Sequence, residues 1–165
     1  MGFVARLAPE KSPGLFVRAA ALVAQARSSV RFVVVGDGPM RVHLEALADR
    51  LGVGPAFTFV GWVTPEDQPK TLRGIDVLVN PSLRAWSETF CIANIEAMAT
   101  GVPLVSFGVG GIGEYLAHDV NGVFVDTAAP QGIADAVVDL LADPAKRARL
   151  GAAARSWRRS PWTTS

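Results

Sequence analysis

The sequence predicts an α/β domain built on a doubly wound parallel sheet. Six short β-rich segments alternate with helical patterns along the 165 residues, which is the pattern of right-handed βαβ crossovers. Segments such as FVVVG at 32–36 and PLVSF at 103–107 are apolar without alternation, as strands covered on both faces require. Ligands of such sheets bind outside the carboxyl ends of the strands.

Apolar runs and proline-containing helix starts set the predicted order of elements. Strands are predicted at Gly2–Arg6, Val30–Gly36, Ala56–Val60, Asp76–Asn80, Pro103–Phe107 and Gly122–Val125. Helices are predicted near 13–26, 39–51, 65–73, 91–100, 112–117, 131–142 and 144–156. Four helix starts pair a cap-favouring residue with a proline that has no N–H to lose: Ser12-Pro13, Gly38-Pro39, Thr64-Pro65 and Asp143-Pro144. Thr64 and Asp67 also form an approximate capping box.

Length and composition are those of a single folded domain, with half of the residues hydrophobic and 19% charged. No apolar run approaches the length of a membrane span, and the start lacks the pattern of a signal peptide. The lone cysteine, Cys91, excludes an intramolecular disulfide and favours a reducing, cytoplasmic location. With one cysteine and two histidines, we expect no zinc site of the usual kind.

Charge is distributed unevenly along the chain. The first 144 residues hold ten Lys and Arg against fifteen Asp and Glu, a net charge of −5, whereas residues 145–165 hold six cations and no acid. This balance argues against a nucleic-acid-binding protein. We expect the basic segment to be a solvated helix whose cations complement its own C-terminal dipole; contact with an anionic surface or a neighbouring domain is the alternative. Residues 156–165 lack clear periodicity and are expected to fray.

Two cations, Arg6 and Lys11, follow the first predicted strand, just before a helix that begins at Pro13. Free N–H groups and the helix dipole attract an anion to such a helix start, and nearby cations act in the same sense. The pair therefore suits a polyanion such as a diphosphate. The alternative is two solvated surface cations, one of them paired with Glu10.

Two glycine-containing turns are less specific. GDGP at 36–39 lacks the Gly-Lys-Ser/Thr ending of a P-loop, and a turn before a helix suffices to explain it. Gly61, Trp62 and Val63 close the third predicted strand. They would offer backbone groups and a flat face to a nucleobase, although a packing role for Trp62 is equally compatible with the sequence.

Two glutamates, Glu88 and Glu96, stand in the otherwise apolar stretch at 87–105. With a helix starting at Phe90–Cys91, they are separated by two turns plus about 80° and project broadly to one side. The first N–H groups of that helix would lie between them to receive phosphate oxygens, and carboxylates suit vicinal sugar hydroxyls. The alternative is a pair of acids that favour the helix dipole, which fits Glu88 better than Glu96.

Taken together, these motifs resemble the C-terminal, donor-binding half of retaining family 4 glycosyltransferases of the GT-B fold. The family segment E-x-F-G-x-x-x-x-E-A-M-A-x-G-x-P-V-V corresponds here to Glu88–Val105. The other matching segments are ARLAPEKS at 5–12, GDGP at 36–39, Phe59–Val63, Asp76–Ser82, Gly110–Glu114 and Asn121-Gly122. The resemblance extends to about Arg155, so we expect residues 1–155 to form a Rossmann-like donor-binding domain.

The resemblance implies a nucleotide-sugar donor, transfer of a hexosyl group to an acceptor hydroxyl with retention, and no metal or other cofactor. Arg6 and Lys11 would neutralise the donor diphosphate, and Glu88 would hold hydroxyls of the donor sugar. Glu96 would hold the ribose and Val63 the base through its backbone. The remaining implied donor contacts are the main-chain amides of Phe90, Cys91 and Ile92.

Some features depart from the family. Ser12 and Cys91 replace family glycines, and Gly113 stands where proline often precedes the loop glutamate. The family's N-terminal acceptor domain has no counterpart in these 165 residues, so we expect an isolated domain that binds donor without transferring sugar. Peripheral membrane contact would come through the parent protein.

Two other functions compete with this interpretation. Gly108–Gly113 satisfies the G-x-G-x-x-G pattern of an NAD(P)-binding domain, with Asp126 as a candidate ribose acid. The interval from Phe107 to Gly122 is short, however, because such a βαβ unit needs about 30 residues. The second alternative is a non-catalytic module that binds a nucleotide or a partner.

Overall fold

The computed structural model describes residues 1–87 and 91–157. Its strands are β1 (Gly2–Val4), β2 (Phe32–Val35), β3 (Phe57–Gly61), β4 (Leu78–Asn80), β5 (Leu104–Ser106) and β6 (Gly122–Phe124). Its α-helices are α1 (Pro13–Ala26), α2 (Arg41–Arg50), α3 (Gln68–Arg73), α4 (Ile92–Thr100), α5 (Pro130–Ala142) and α6 (Pro144–Trp157). Short 3-10 helices cover Pro9–Lys11, Gly54–Ala56, Ala85–Ser87 and Gly110–Glu114.

The strands pair in parallel into one sheet with the order β3-β2-β1-β4-β5-β6. This is the strand order of a doubly wound Rossmann fold, in which the direction of winding reverses between β1 and β4. The predicted fold class and all six predicted strands are therefore confirmed.

Alternate side chains of the strands fill two cores, one on each face of the sheet. The first core lies under α1, α2 and α5, and its fully buried Phe3 and Phe16 have ring centroids 5.5 Å apart. The second core lies under α3, α4 and α6, and Met98 and Leu104 are fully buried in it. Each of these side chains contributes roughly 1.5–3 kcal/mol by leaving water.

Helix starts were predicted correctly at Pro13 and Pro144 but not at two other prolines. Helix α2 begins at Arg41, because the segment before it is tied to the chain that follows β1. Helix α3 begins at Gln68, after a turn in which Thr64 Oγ1 donates to Asp67 Oδ2 at 3.1 Å and accepts from Asp67 N–H at 3.2 Å. The predicted capping box therefore forms a turn at residues 64–67 that precedes the helix, and it does not cap the helix itself.

The helix predicted near 112–117 is wrong. The chain forms a 3-10 helix of five residues at Gly110–Glu114 instead. Three of the five residues are glycines, and each glycine costs an α-helix about 1 kcal/mol relative to alanine. The segment is therefore a compact loop between β5 and β6.

Arg155 lies in the last turn of the basic helix α6, where the prediction places a cation that complements the helix dipole, but the arginines of α6 also bind neighbouring helices. Arg147 Nη1 donates to Leu140 O and Leu141 O at 2.8 and 3.0 Å, at the end of α5. Arg155 Nη2 donates to Thr100 O at 2.9 Å, at the end of α4. These cations satisfy terminal carbonyls of neighbouring helices, where positive charge is favourable.

Two further cations of α6 bind carboxylates. Lys146 Nζ donates to Asp139 Oδ2 at 2.9 Å and lies 3.5 Å from Asp119 Oδ1, and Arg149 Nη2 donates to the same Asp119 at 3.1 Å. The hydrogen bond to Asp139 is the largest effect that raises the pKa of Lys146. Helix α6 ends at Trp157, one residue past the predicted end; Arg158, Arg159 and the rest of the predicted tail lie outside the described residues.

No helix within residues 1–87 or 91–157 is both long and apolar enough to cross a membrane.

We predict that Ser12→Gly raises the free energy of unfolding by about 0.5–1 kcal/mol. Ser12 precedes α1 in the left-handed conformation, with φ 50° and ψ 42°, and its side chain makes no capping hydrogen bond to the described residues. That conformation costs a non-glycine residue roughly 1–2 kcal/mol, part of which the greater chain entropy of unfolded glycine offsets. Urea unfolding measures the change.

Ser12→Ala is the matched control, because alanine keeps the left-handed penalty and also lacks the hydroxyl. A glycine variant no more stable than the alanine variant would show that the conformation of residue 12 carries no strain.

Candidate functional site

A cavity of about 440 Å³ opens at the carboxyl ends of β1, β2 and β3, beside the first turn of α4. This is the point at which the strand order reverses, where doubly wound sheets bind ligands. The volume lies within the range usual for small-molecule sites. The lining residues are Val4, Ala5, Arg6, Val35, Gly36, Asp37, Trp62, Val63, Gln68 and Ala93.

The GDGP turn holds the loop that carries Arg6. Leu7 N–H donates to Asp37 O at 2.9 Å, and Met40 N–H donates to Leu7 O at 3.0 Å. Gly36 has φ +121°, and a Cβ there would lie 1.9 Å from Ala5 O. Only glycine allows this close approach of the two backbones. The turn therefore has the structural role that the sequence suggested, and it fixes one wall of the cavity.

A β-bulge directs the end of β3 into the cavity. Val34 pairs with Phe59 and Val35 with Gly61, so Val60 is an extra residue in the strand. Arg41 Nη2 donates to Phe59 O at 3.2 Å next to this irregularity. Bulges bend a strand and re-aim the residues beyond them, and here the residues beyond are two that line the cavity.

Those two residues are Trp62 and Val63. Trp62 is 73% exposed, which excludes the buried packing role that the sequence left open. Its ring is available at the cavity mouth, and Val63 lies half-buried beside it. A flat aromatic face next to backbone groups is a suitable surface for a nucleobase.

A buried polar network fixes the start of α4. Cys91 is the N-cap of this helix, one residue before its first turn. Asn94 Nδ2 donates to Tyr115 Oη at 2.9 Å, and Asn80 Nδ2 donates to Asn94 Oδ1 at 3.3 Å. Asn80 Oδ1 in turn accepts the N–H of Ser82 at 3.1 Å. The network joins the end of β4 to α4, so the first turn of α4 is held at the cavity.

Glu96 is half-buried on the second turn of α4 and accepts a hydrogen bond from Gln68 Nε2. Gln68 lines the cavity. Gln68 could not be identified from the sequence, because its contact with Glu96 depends on how α3 packs against α4.

Only some of the predicted site residues lie at the cavity. Arg6 and Val63 line the cavity, and Glu96 reaches its wall through Gln68. Ala93 brings the start of α4 to the cavity, next to Cys91 and the exposed Ile92. Lys11 is half-buried in the 3-10 helix after the Arg6 loop and does not line the cavity. Glu88 and Phe90 lie outside the described residues, so their roles stay predictions.

The structure does not favour a dinucleotide site at Gly108–Gly113. This segment follows β5 and enters the 3-10 helix at Gly110–Glu114, whereas the dinucleotide motif needs a strand followed directly by an α-helix whose start binds pyrophosphate. Loops of that kind belong after β1, where this chain has Arg6 and Lys11 instead.

Within the two described ranges, no three His, Cys, Asp or Glu side chains are grouped so that they could hold a metal ion. The expected independence of a metal stays a prediction.

Comparison with known proteins identifies the family. The family model for glycosyl transferases group 1 matches residues 1–157. A D-inositol 3-phosphate glycosyltransferase of Segniliparus rotundus is 36% identical over 157 residues, which are 93% of this chain and 34% of that protein. The chain therefore spans about a third of the length of that relative.

Solved structures show the same fold. HepE from Anabaena, crystallised in complex with UDP, superposes with a TM-score of 0.86 at 26% identity, over 96% of this chain and 43% of that one. The C-terminal domain of a glycosyl transferase group 1 family protein from Francisella tularensis gives a TM-score of 0.84 at 21% identity, over 98% of this chain and 84% of that one. The second likeness concerns the fold alone.

We predict that Asn94→Ala lowers the free energy of unfolding by about 2–4 kcal/mol. Asn94 is 1% exposed, and its removal breaks two buried hydrogen bonds, one from Asn80 Nδ2 and one to Tyr115 Oη, at about 1–3 kcal/mol for each buried bond that is lost. Urea denaturation checks the value.

Tyr115→Phe is the matched control, because it removes one hydroxyl and keeps the ring. It should cost about 1 kcal/mol. An alanine variant as stable as the wild type would contradict the proposed role of the network in holding α4.

Proposed function

Because the chain belongs to the glycosyl transferases group 1 family, we propose that it is the nucleotide-sugar-binding domain of a retaining, metal-independent family 4 hexosyltransferase. The parent enzyme moves a hexosyl group from a nucleoside diphosphate donor to an acceptor hydroxyl in the cytoplasm. The cavity between the β1 loop and α4 carries the proposal, because it combines a cation, an exposed aromatic ring and a nearby carboxylate.

Arg6 and Lys11 act on the diphosphate. Cleavage of the bond between the sugar and the diphosphate leaves negative charge on the departing nucleoside diphosphate. Cations fixed near that charge stabilise the transition state, and in many enzymes a metal ion has this role. Arg6 is exposed at the cavity, and Lys11 lies at the end of the 3-10 helix that follows the Arg6 loop. Together Arg6 at the cavity and Lys11 in the adjoining 3-10 helix would supply the charge that a divalent ion would otherwise provide.

The carboxylates hold the two sugar rings of the donor. Glu96, held by Gln68 at the cavity wall, accepts hydroxyl hydrogens of the ribose. Glu88 acts on the hexose from the segment that precedes α4, and the amides of Phe90, Cys91 and Ile92 contact sugar and phosphate. Val63 binds the base through its backbone. This division of roles places the diphosphate opposite the start of α4, where a helix favours an anion.

The relatives support a nucleoside diphosphate as ligand, because the structural neighbour HepE was crystallised with UDP. The chain spans 43% of HepE and 34% of the inositol phosphate glycosyltransferase. We therefore propose that the acceptor site is completed by a second domain, and that residues 1–165 bind donor but transfer no sugar by themselves.

We predict that Glu96→Gln weakens nucleoside diphosphate binding about tenfold, because a lost hydrogen bond to a charged group costs roughly 1.5–3 kcal/mol. Calorimetric titration with UDP, GDP and ADP measures the change and identifies the base. Asp135→Asn, the same chemical change on the exposed side of α5, is the control and should bind as the wild type does.

Glu88→Gln should weaken binding of the intact nucleotide sugar more than binding of the bare nucleotide. Equal losses for both ligands in both glutamate variants would rule out the division of roles between ribose and hexose. Binding of NAD alone would instead favour the dinucleotide alternative.

We predict that Arg6→Ala weakens nucleoside diphosphate binding about tenfold or more, and unphosphorylated nucleoside binding by less than about twofold, because a charge-assisted contact to phosphate is lost. Titration with each ligand separates the two effects. Arg18→Ala, an exposed cation on α1, should change neither. A similar loss for nucleoside and nucleoside diphosphate would show that Arg6 does not act on phosphate.

A further inference from the structure

The contact between Gln68 and Glu96 joins two helices at the wall of the cavity. Gln68 is the first residue of α3, and Glu96 lies on the second turn of α4. Both side chains are half-buried, so solvent competes only partly for their hydrogen bond. Of the two, Gln68 itself lines the cavity.

The chemistry of the two groups fixes their orientation. An ionised carboxylate only accepts hydrogen bonds, so the amide of Gln68 must turn its NH₂ group toward Glu96, and it is Nε2 that donates to Glu96 Oε2. The other carboxylate oxygen, Oε1, keeps its capacity to accept. A carboxylate held through one oxygen presents the second oxygen in a defined direction.

We propose that Gln68 is a positioning residue that orients Glu96 for a ribose hydroxyl, an inference that rests on the proposed donor-binding function. Without Gln68, the flexible Glu96 side chain has to be ordered when the nucleotide binds, and immobilising such a side chain costs affinity. Gln68 makes that cost smaller by ordering the carboxylate in advance. It acts on the nucleotide through Glu96.

The first test is a double-mutant cycle with UDP and GDP as the titrated ligands. Gln68→Leu has nearly the same size as the wild type and removes the hydrogen bond, and it should weaken binding about fivefold to tenfold. In a Glu96→Leu background the same change should have no further effect, because the group through which Gln68 acts is gone. Independent, additive losses would show that Gln68 contacts the nucleotide itself and would overturn the positioning role.

The second test uses pH to restore the hydrogen bond. Gln68→Glu puts two carboxylates in contact, and two such groups cannot both ionise easily, so the pKa of the pair is raised. The singly protonated pair has one O–H that donates to the other carboxylate, as the amide does in the wild type. The affinity of this variant relative to the wild type should therefore fall severalfold as the pH rises from about 5 to 8.

The ligand in this test is the unphosphorylated nucleoside, so that the added carboxylate repels no diphosphate and no phosphate titrates. With that ligand, a merely structural role of Gln68 predicts a ratio to the wild type that does not change with pH. A flat ratio would overturn the inference.

Gln131→Leu is the matched control. Gln131 Nε2 donates to Asp135 Oδ1 at 2.7 Å on the exposed side of α5, so this variant loses the same kind of hydrogen bond away from the cavity. It should bind nucleotide as the wild type does. Thermal melts establish that each variant is folded.

The outcomes separate the two proposals. Weakened binding by Glu96→Leu together with unchanged binding by Gln68→Leu would overturn the positioning role and leave the donor site in place. No binding of UDP, GDP or ADP by the folded wild type would overturn the donor site and the positioning role with it.

Discussion

Because all six strands of the sheet run parallel, each helix that follows a strand starts at one edge of the sheet and ends near the other. The edge with the carboxyl ends of the strands therefore collects strand-end loops and helix starts, with their unpaired N–H groups and positive dipole ends. The opposite edge collects helix ends, whose carbonyls attract cations. Arg147 and Arg155 of α6 bind such carbonyls of α5 and α4. The parallel direction of the strands thus produces one edge suited to anionic ligands and an opposite edge where the protein's own arginines bind helix-end carbonyls.

Local features then shape the ligand edge into a cavity. Gly36 lets the turn after β2 pack against the backbone after β1, which fixes the loop of Arg6. The extra residue Val60 bends the end of β3 toward the same place. The buried amide of Asn94 holds the start of α4 on the third side. None of these residues needs to touch a ligand, yet each determines where a group that lines the cavity is placed.

The elements predictable from sequence are those set by local pattern. Runs such as FVVVG mark strands because burial on both faces requires continuous apolar residues, and Asp143-Pro144 marks a helix start because its cap forms within a few residues. The start of α2 was mispredicted at Gly38-Pro39, since hydrogen bonds to the distant Leu7 hold that turn outside the helix. The contacts of the basic helix were not predicted for a similar reason, because the carbonyls that its arginines bind belong to other helices.

The residues of the site also divide into those placed by local sequence and those placed by packing between distant segments. Arg6 and Val63 could be found from strand ends and family resemblance, because their positions depend on local order along the chain. Gln68 could not, since its importance arises only when α3 packs against α4 and brings its amide to Glu96. A residue that acts through a contact with another residue is difficult to predict from a single sequence, whereas a residue at the end of a strand can be predicted from the pattern around it.

We propose that one cavity, between the loop after β1 and the start of α4, binds the nucleoside diphosphate. Nuclear magnetic resonance titration of the ¹⁵N-labelled chain with UDP and GDP tests this. We expect one of the two nucleotides to shift the amides of Arg6, Gly36, Val63 and Ala93 and the side-chain amide of Gln68. Shifts confined to the loop at 108–114, or to the opposite edge near Asp76, would contradict it.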